Sequence, residues 1–326
     1  MRLFVTGAAG FIGANYVHHV LATSDDEITV FDALTYAGNL DNLKDLEGNA
    51  RLRFVRGDIC DREAVRAAIT GHHAVVHFAA ESHVDRSIVN PDEFVRTNCL
   101  GTNVMCDEAR RADVQRFLHI STDEVYGSIE VGSFGESDPL AARSPYSASK
   151  AGSDMIALAY HETYGLPVVV TRSSNNFGPY QFPEKVIPLF VTNLLDGRQV
   201  PLYGDGLNVR DWCFVEDNCA AVDLVLRKGI TGEVYNIGAG NEVTNRELTD
   251  RLLALCDRDE SSIDYVEDRL GHDRRYSVDI AKVKALGWAP ARELGEALAA
   301  TVAWYREHRW WWEPLKERAD VAKLGG

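Results

Sequence analysis

An α/β protein with a doubly wound parallel sheet and a smaller C-terminal lobe is what this 326-residue sequence predicts. Apolar, strand-sized runs alternate with helical patterns through the first half of the chain. A glycine-rich loop joins the first of these runs to the first helical pattern. After residue 172 the rhythm breaks into Pro- and Gly-rich chain, and one strand-like run returns later. Parallel strands covered by helices on both faces are buried on both sides, so their sequences are continuously apolar rather than alternating.

Residues 3–6 form the first short apolar run, and 11–22 carry helical spacing with Ile12, Tyr16, Val20 and Leu21 on one side. Runs at 28–31, 52–55, 74–78, 117–120 and 168–171 read as further buried strands, with helices over 61–69, 91–110 and 145–164 between them. Right-handed crossovers turn such a β-α-β series into a doubly wound sheet. Beyond it the sequence predicts a helix over 184–195, a turn at Gly204-Asp205-Gly206, a helix over 215–227, and a strand over 234–237 that rejoins the sheet. The remainder alternates helices with loops and ends in Trp304, Tyr305, Trp310, Trp311 and Trp312, expected as core or interface anchors. The predicted division is a sheet domain over 1–172, rejoined by about 212–240, and a second domain made of 173–211 and 241–326.

Thirty-four Lys and Arg against 49 Asp and Glu give a formal charge of −15, which argues against a general nucleic-acid or membrane-surface binder. A few local arginines still suffice to hold a small anionic substrate. No apolar run is long enough to span a bilayer. The opening MRLFVTGAAG enters a strand without the pattern of a secretory leader, so a cytoplasmic location is expected. Cys60, Cys99, Cys106, Cys213, Cys219 and Cys256 form no C-x-x-C pair and have no histidine at ligand spacing. Reduced thiols filling core positions are expected, with no metal.

Thr6-Gly7-Ala8-Ala9-Gly10-Phe11-Ile12-Gly13 carries its glycines as G-x-x-G-x-x-G between strand and helix. That pattern serves a tight turn, close backbone approach to a pyrophosphate, and close helix–strand contact. The helix N-terminus offers N–H groups and a positive dipole end to phosphate. The loop therefore predicts a Rossmann-type dinucleotide site. Asp32 ends the second strand 19 residues after Gly13, where a carboxylate binds both ribose hydroxyls and repels a 2′-phosphate. NAD is expected over NADP. Asp58-Ile59 follows the third strand, where the Asp58 carboxylate can accept from the adenine amino group.

Ser144-Pro145-Tyr146-Ser147-Ala148-Ser149-Lys150 opens a helix with a serine cap and proline in the first turn. Tyr146 and Lys150, four apart, share a face. A tyrosine is a poor base at its usual pKa near 10. The neighbouring ammonium and the positive nicotinamide ring are expected to favour its phenolate. Thr122, in Ser121-Thr122-Asp123, ends a strand where its hydroxyl can reach the same substrate oxygen. Together these resemble the short-chain dehydrogenase superfamily, and the glycine variant with the C-terminal extension resembles its extended branch. Most of that branch places a simple hydroxyl residue near Thr122. Here Asp123 and Glu124 follow it. Paired carboxylates split their pKa values, which suits one acid and one base acting on adjacent carbons.

The runs Ala79-Ala80-Glu81-Ser82-His83-Val84-Asp85-Arg86-Ser87, Ser121-Thr122-Asp123-Glu124-Val125-Tyr126-Gly127, Ser174-Asn175-Asn176-Phe177-Gly178-Pro179-Tyr180-Gln181-Phe182-Pro183-Glu184-Lys185 and Gly271-His272-Asp273-Arg274-Arg275-Tyr276 resemble the dTDP-glucose 4,6-dehydratase family over nearly the whole chain. Glu216-Asp217-Asn218 departs from it, since relatives usually carry His after the Asp. The resemblance implies that Tyr146 takes the proton from the carbon 4 hydroxyl while hydride goes to NAD, that Glu124 removes the carbon 5 proton, that Asp123 protonates the departing carbon 6 hydroxyl, and that hydride returns to carbon 6. Thr122 orients the sugar, and Lys150 holds the nicotinamide ribose. Cofactor contacts are implied for Gly7, Gly10, Phe11, Ile12, Gly13, Asp32, Asp58, Ile59, Ala79, Ala80, Ser82, Asn98, Tyr146, Lys150 and Asn176. Substrate contacts are implied for Ser82, His83, Thr122, Asn175, Lys185, Pro201, Tyr203, Arg210, Asn245, His272, Arg275 and Tyr276, with Arg210 on the diphosphate and Tyr203 stacking on the base. The partner is then a small nucleotide sugar, dTDP-glucose, and a homodimer through helices 91–110 and 145–164 is expected. A 4-epimerase or dehydratase using a UDP- or CDP-sugar is the competing reading; an epimerase would not need the Asp123-Glu124 pair. A non-catalytic NAD-binding regulator would predict loss of Tyr146 or Lys150, and both are present.

Overall fold

The computed structural model describes residues 1–268 and 272–324. Gly271, quoted in the last of the family-like runs, lies outside them. The chain runs β1 (Arg2–Thr6), α1 (Phe11–Thr23), β2 (Glu27–Asp32), β3 (Leu52–Arg56), α2 (Arg62–Ile69), β4 (Ala74–His77), α3 (Val84–Val89), α4 (Pro91–Phe94), a π-helical stretch Val95–Gly101, α5 (Thr102–Arg111), β5 (Arg116–Thr122), a 3-10 turn Asp123–Tyr126, α6 (Pro145–Tyr164) and β6 (Val168–Ser173). There follow β7 (Asn175–Phe177), α7 (Val186–Leu195), β8 (Val200–Tyr203), β9 (Val209–Phe214), α8 (Val215–Lys228), β10 (Val234–Ile237), β11 (Glu242–Thr244), α9 (Asn245–Leu255), β12 (Ile263–Val266), α10 (Ala281–Ala285), α11 (Leu294–Glu307) and α12 (Arg309–Leu324).

Seven parallel strands form the main sheet in the order β10-β6-β5-β4-β1-β2-β3. Alternation along each strand feeds two separate cores. Leu3 and Val5 of β1 meet Tyr16, Val17 and Val20 of α1 and Val222 and Val225 of α8 on one face. Phe4, between them, meets Phe31, Val75 and Phe117 on the other, with Met105 of α5 and Ala157 of α6. Both faces are covered, which is why the strands are apolar at every position.

The lobe has its own core, built around Phe177, Phe190, Trp212, Leu248, Leu298 and Tyr305. Trp311 and Trp312 are buried in it, and the Trp312 indole N–H donates to the Tyr305 carbonyl at 2.7 Å, while Trp310 is exposed. The chain returns to the main sheet with α8, which packs on α1, and β10, which pairs with β6. Strand β9 stays with the lobe, between β7 and β11, so the return begins at Val215 rather than near 212.

The single helix expected over 91–110 is broken by its π-helical stretch. The wider turn brings Asn98 inward, where its side chain accepts from the Glu81 amide at 2.9 Å and donates to the Glu81 carbonyl and the Ser149 hydroxyl. Gly101 lets the same segment press on Ile59, whose Cδ1 lies 2.5 Å from where a Cβ would stand. The short α3 and strands β7, β8, β11 and β12 go beyond the expected elements. At three to six residues they are too short to show a period.

Candidate active site

Strand order reverses between β1 and β4, and a cleft opens at their C-terminal ends, where such sheets bind ligands. Gly7 turns the chain there with φ +70°, and a Cβ on it would stand 2.5 Å from the Ala79 nitrogen. A Cβ on Gly13 would stand 2.6 Å from the Gly7 carbonyl oxygen. The two glycines thus bring the loop and α1 against the backbone after β4, leaving room only for a ligand's phosphates. Gly7, Gly10, Phe11, Ile12, Gly13, Asp32, Asp58, Ile59, Ala79, Ala80, Ser82, Tyr146 and Lys150 all line this cleft.

Asp32 accepts from the Ala9 amide at 2.9 Å and the Leu34 amide at 2.8 Å, and burial raises its carboxyl above the ordinary range. Asp58 is half exposed. Burial works against its anion, but the Cys60 amide at 2.8 Å and Arg96 at 2.8 Å outweigh that and lower it. Arg96 also lines the cleft, and no sequence signal marked it. Asn98 and Asn176 lie outside the cleft lining. Asn98 clips Glu81 to Ser149, and Asn176 donates to the Ser174 carbonyl at 2.9 Å. These residues fit a dinucleotide.

Helix α6 carries the Tyr-x-x-x-Lys pair. Ser144 caps it through the Ser147 amide in a reciprocal box, Pro145 occupies its first turn, and Gly165 ends it with φ +71°. Tyr146 and Lys150 are both buried. The Lys150 ammonium donates to the Ile120 carbonyl at 2.7 Å, and burial lowers its pKa to about 8. The protein groups around the Tyr146 hydroxyl, apart from the nicotinamide ring that the sequence expectation also invoked, disfavour its phenolate. Burial first, then the Glu124 charge, holds the hydroxyl well above its ordinary value, and a hydrogen bond with Thr122 pulls the other way. The ammonium, turned to a carbonyl, does not offset this.

Strand β5 ends at Thr122, whose hydroxyl caps the turn of Asp123 and Glu124 by accepting from the Glu124 amide at 3.2 Å. Asp123 is 3% exposed. Its Oδ1 accepts from the Thr122 hydroxyl at 3.2 Å, and its Oδ2 has no hydrogen-bond partner among the described residues. Burial, then the charges of Glu124 and Asp211, raise its carboxyl far above the usual range, against the pull of Arg210. Burial and those two charges each favour the neutral form of the carboxyl over its anion. Asp211 is itself buried and raised by that burial, although it accepts from the Ala239 and Asn241 amides at 2.9 and 2.7 Å. Its place beside Arg210 was the signal the sequence offered.

Glu124 opens instead onto a second cleft, lined also by His83, Asn175, Lys185, Pro201, Tyr203, Arg210, Asn245 and His272. Asn175 Oδ1 is buried there without a partner among the described residues. Arg210 donates to the Val209 carbonyl at 2.7 Å and the Asp273 carbonyl at 2.8 Å, with its guanidinium 4.1 Å from the Tyr276 ring centre. Tyr203 is part exposed and meets His272 edge to face. Three substrate expectations lie outside this lining. Ser82 lines the first cleft, and Thr122 and Tyr276 are in neither lining. A fourth, Arg275, is engaged by both Glu242 oxygens at 2.7 and 3.0 Å and by the Gly132 carbonyl. Glu184, placed by the sequence only as the start of a helix, lines both clefts, as does Lys185, which donates to the Ser82 carbonyl at 2.9 Å.

A doubly wound sheet, a glycine loop at its switch point, a buried Tyr-x-x-x-Lys helix and an adjoining cleft with a buried arginine define an enzyme of the extended short-chain dehydrogenase type. The family described as GDP-mannose 4,6 dehydratase matches residues 4–301. A dTDP-glucose 4,6-dehydratase of Streptomyces antibioticus is 58% identical over 98% of this chain and 96% of its own. The solved dTDP-glucose 4,6-dehydratase of Streptomyces venezuelae, with NAD bound, is 55% identical, with TM-score 0.95 over 97% of this chain and 100% of its own. The enzyme from Bacillus anthracis, in complex with NAD, is 48% identical, with TM-score 0.90 over 97% and 99%. The chain belongs to the dTDP-glucose 4,6-dehydratase family.

Proposed function

We propose that this chain dehydrates dTDP-glucose to dTDP-4-keto-6-deoxyglucose with NAD as its resident cofactor. The observation that carries the reading is the Asp123–Glu124 turn, where a buried carboxyl whose surroundings favour its neutral form stands beside Glu124, which faces the second cleft. The solved relatives with NAD bound support the cofactor, and the names of the relatives support the substrate. NAD, which the glycine loop, Asp32 and Lys150 would hold, would supply the hydride acceptor for carbon 4 and the donor for carbon 6, and its positive ring would favour the Tyr146 phenolate. Tyr146 removes the proton of the carbon 4 hydroxyl, which Thr122 orients. Lys150 holds the nicotinamide ribose. The ketone formed at carbon 4 acidifies the carbon 5 proton. Glu124 takes that proton, Asp123 gives its own to the leaving hydroxyl of carbon 6, one water departs, and Glu124 returns a proton to carbon 5 as hydride enters carbon 6. Arg210 holds the diphosphate, Pro201 and Tyr203 line the base, and Asn175, Lys185, Asn245 and His272 make further substrate contacts.

Incubation with dTDP-, UDP- and CDP-glucose tests this. Only dTDP-glucose is expected to yield, at a useful rate, a product lighter by one water without net reduction of NAD. An unchanged substrate mass, or accumulation of NADH, overturns it. A 4-epimerase would leave the mass unchanged and has no task for Asp123.

The reading includes residence in the cytoplasm, supported by six unpaired thiols. Among the described residues no helix is long and apolar enough to cross a membrane. It also includes a homodimer through the helical stretch from Pro91 to Arg111 and α6, supported by the exposed apolar side chains Val95, Leu100 and Met155 on these segments. Light scattering at micromolar concentration is expected to give twice the chain mass of 36.2 kDa, and a monomer mass sinks the pairing.

A further inference from the structure

Behind the reacting groups lies a buried polar chain that the mechanism does not use. Asp154 sits on α6 one turn beyond Lys150 and two turns beyond Tyr146, and it is fully buried. Its Oδ2 accepts from Nε of Arg172, on β6, at 2.9 Å. The same guanidinium, 3% exposed, donates through Nη1 to the Tyr126 hydroxyl at 2.7 Å and stands 4.8 Å from the Tyr126 ring centre. Tyr126 donates onward to Asn236 Oδ1 at 2.9 Å, on β10. Tyr126 closes the turn that carries Asp123 and Glu124, so Arg172 bridges that turn to the helix of Tyr146 and Lys150.

We propose that Asp154 is a positioning residue for the reaction: its buried carboxylate is the counter-charge of the Lys150 ammonium, and through Arg172 and Tyr126 it fixes the acid–base turn against the Tyr146–Lys150 helix. The inference rests on the proposed dehydration. A fully buried anion and a fully buried lysine on one helical face compensate each other, whereas either alone is costly. Among the described residues Lys150 makes one hydrogen bond, to the neutral Ile120 carbonyl, which brings no counter-charge. The titratable groups around the ammonium are Tyr146 and Asp154 on α6, Cys99 on the π-helical stretch, His119 on β5 and His77 on β4. Burial lowers both histidines, which carry no negative charge in either form, and burial raises Cys99, away from its thiolate. Asp154 is therefore the anion of the set. Burial opposes its charge, but His119, at 3.3 Å, and Arg172 outweigh that, so its carboxyl lies below the usual range. Burial lowers Lys150 to about 8, and Asp154 works against that fall. The ammonium, which holds the ribose, is lost as pH rises through that value. Without Asp154 the loss begins at lower pH.

The test is a titration of Lys150 in the purified enzyme by NMR, with carbon-13 in the lysine side chains and the Lys150 signal assigned by Lys150→Arg. Wild type is expected to titrate at about 8. In Asp154→Asn the midpoint is expected to fall by about one unit or more, an ammonium population roughly tenfold smaller on the basic side. The basic limb of single-turnover oxidation of dTDP-glucose should move with it, and Asp154→Glu should restore both. Asp154→Asn leaves Arg172 buried without its anion, which threatens folding. The Asp154→Asn/Arg172→Met double variant removes both charges and carries the same expectation. An unmoved Lys150 midpoint in either soluble variant, or a loss of rate equal at every pH, overturns the proposal. Wild-type turnover is measured alongside: if wild type does not dehydrate dTDP-glucose, the reaction is wrong, and the Lys150 titration still reads the counter-charge.

Discussion

Asp123→Asn oxidises the sugar at carbon 4 and then stalls. The bound cofactor is reduced in the first turnover, NADH absorbance rises and persists, and loss of water slows by about 10²–10⁴-fold, the usual worth of a positioned general acid. The amide matches the carboxyl in shape and cannot release a proton to the carbon 6 hydroxyl. Glu124→Gln is expected to reach the same stall and, in addition, to suppress exchange of the carbon 5 proton with solvent. A single-turnover absorbance record with dTDP-glucose reads both. Dehydration at near wild-type rate in both variants removes the paired-carboxylate mechanism. Asp123→Asn carries a second signature. Burial and two neighbouring carboxylates raise the folded-state pKa of Asp123. A group raised in this way supports folding below its unfolded pKa, and that support is lost as pH rises through the folded value. The amide does not titrate, so the variant's melting temperature should exceed that of wild type increasingly as pH rises, and the difference should close at low pH.

Tyr146→Phe produces neither NADH nor product. The phenol is the group in line to take the carbon 4 proton, Thr122 beside it is a hydroxyl, and Glu124 serves the carbon 5 proton. At least a hundredfold loss is expected in the oxidation itself, again about the general-base range. The structure adds a pH dependence. Burial and Glu124 hold Tyr146 high. Wild-type oxidation should therefore rise with pH until the Lys150 ammonium is lost near pH 8. Stopped-flow absorbance across pH 6 to 9 checks both statements. NADH formation in Tyr146→Phe at wild-type rate removes the tyrosine from its role.

The parallel sheet was legible because continuous apolar runs separated by helical patterns have few other solutions. The glycine loop, the place of Asp32 at the end of β2 and the Ser144–Pro145 helix start were legible for a related reason: each is a local pattern with a local physical cause. What failed to show was decided by contacts far apart in sequence. The break at Val95–Gly101 reflects Ile59, Glu81 and Ser149, none of them within ten residues of Asn98. The Tyr146 shift reflects its depth and Glu124, 22 positions away, which spacing along the helix does not display. Arg275 lies in a family-like run yet is held by Glu242, 33 positions away. Asp154 in mid-helix resembles any solvated acid until Arg172 is placed beside it.

The order in which the sheet is filled has a consequence for how the chain is made. Six of the seven strands of the main sheet, β1 to β6, are encoded before residue 174, but the cover of α1 is not. Tyr16, Val17 and Val20 are sealed by Val222 and Val225 of α8, which leave the ribosome some two hundred residues later, after the loop and strands that begin the lobe. Until then the growing chain displays an oily stripe, and nothing already synthesised in the α8 position can hide it. A nascent dinucleotide half must therefore wait, with that stripe bare or shielded by a chaperone, for a helix that arrives only after the polypeptide has left the sheet and come back.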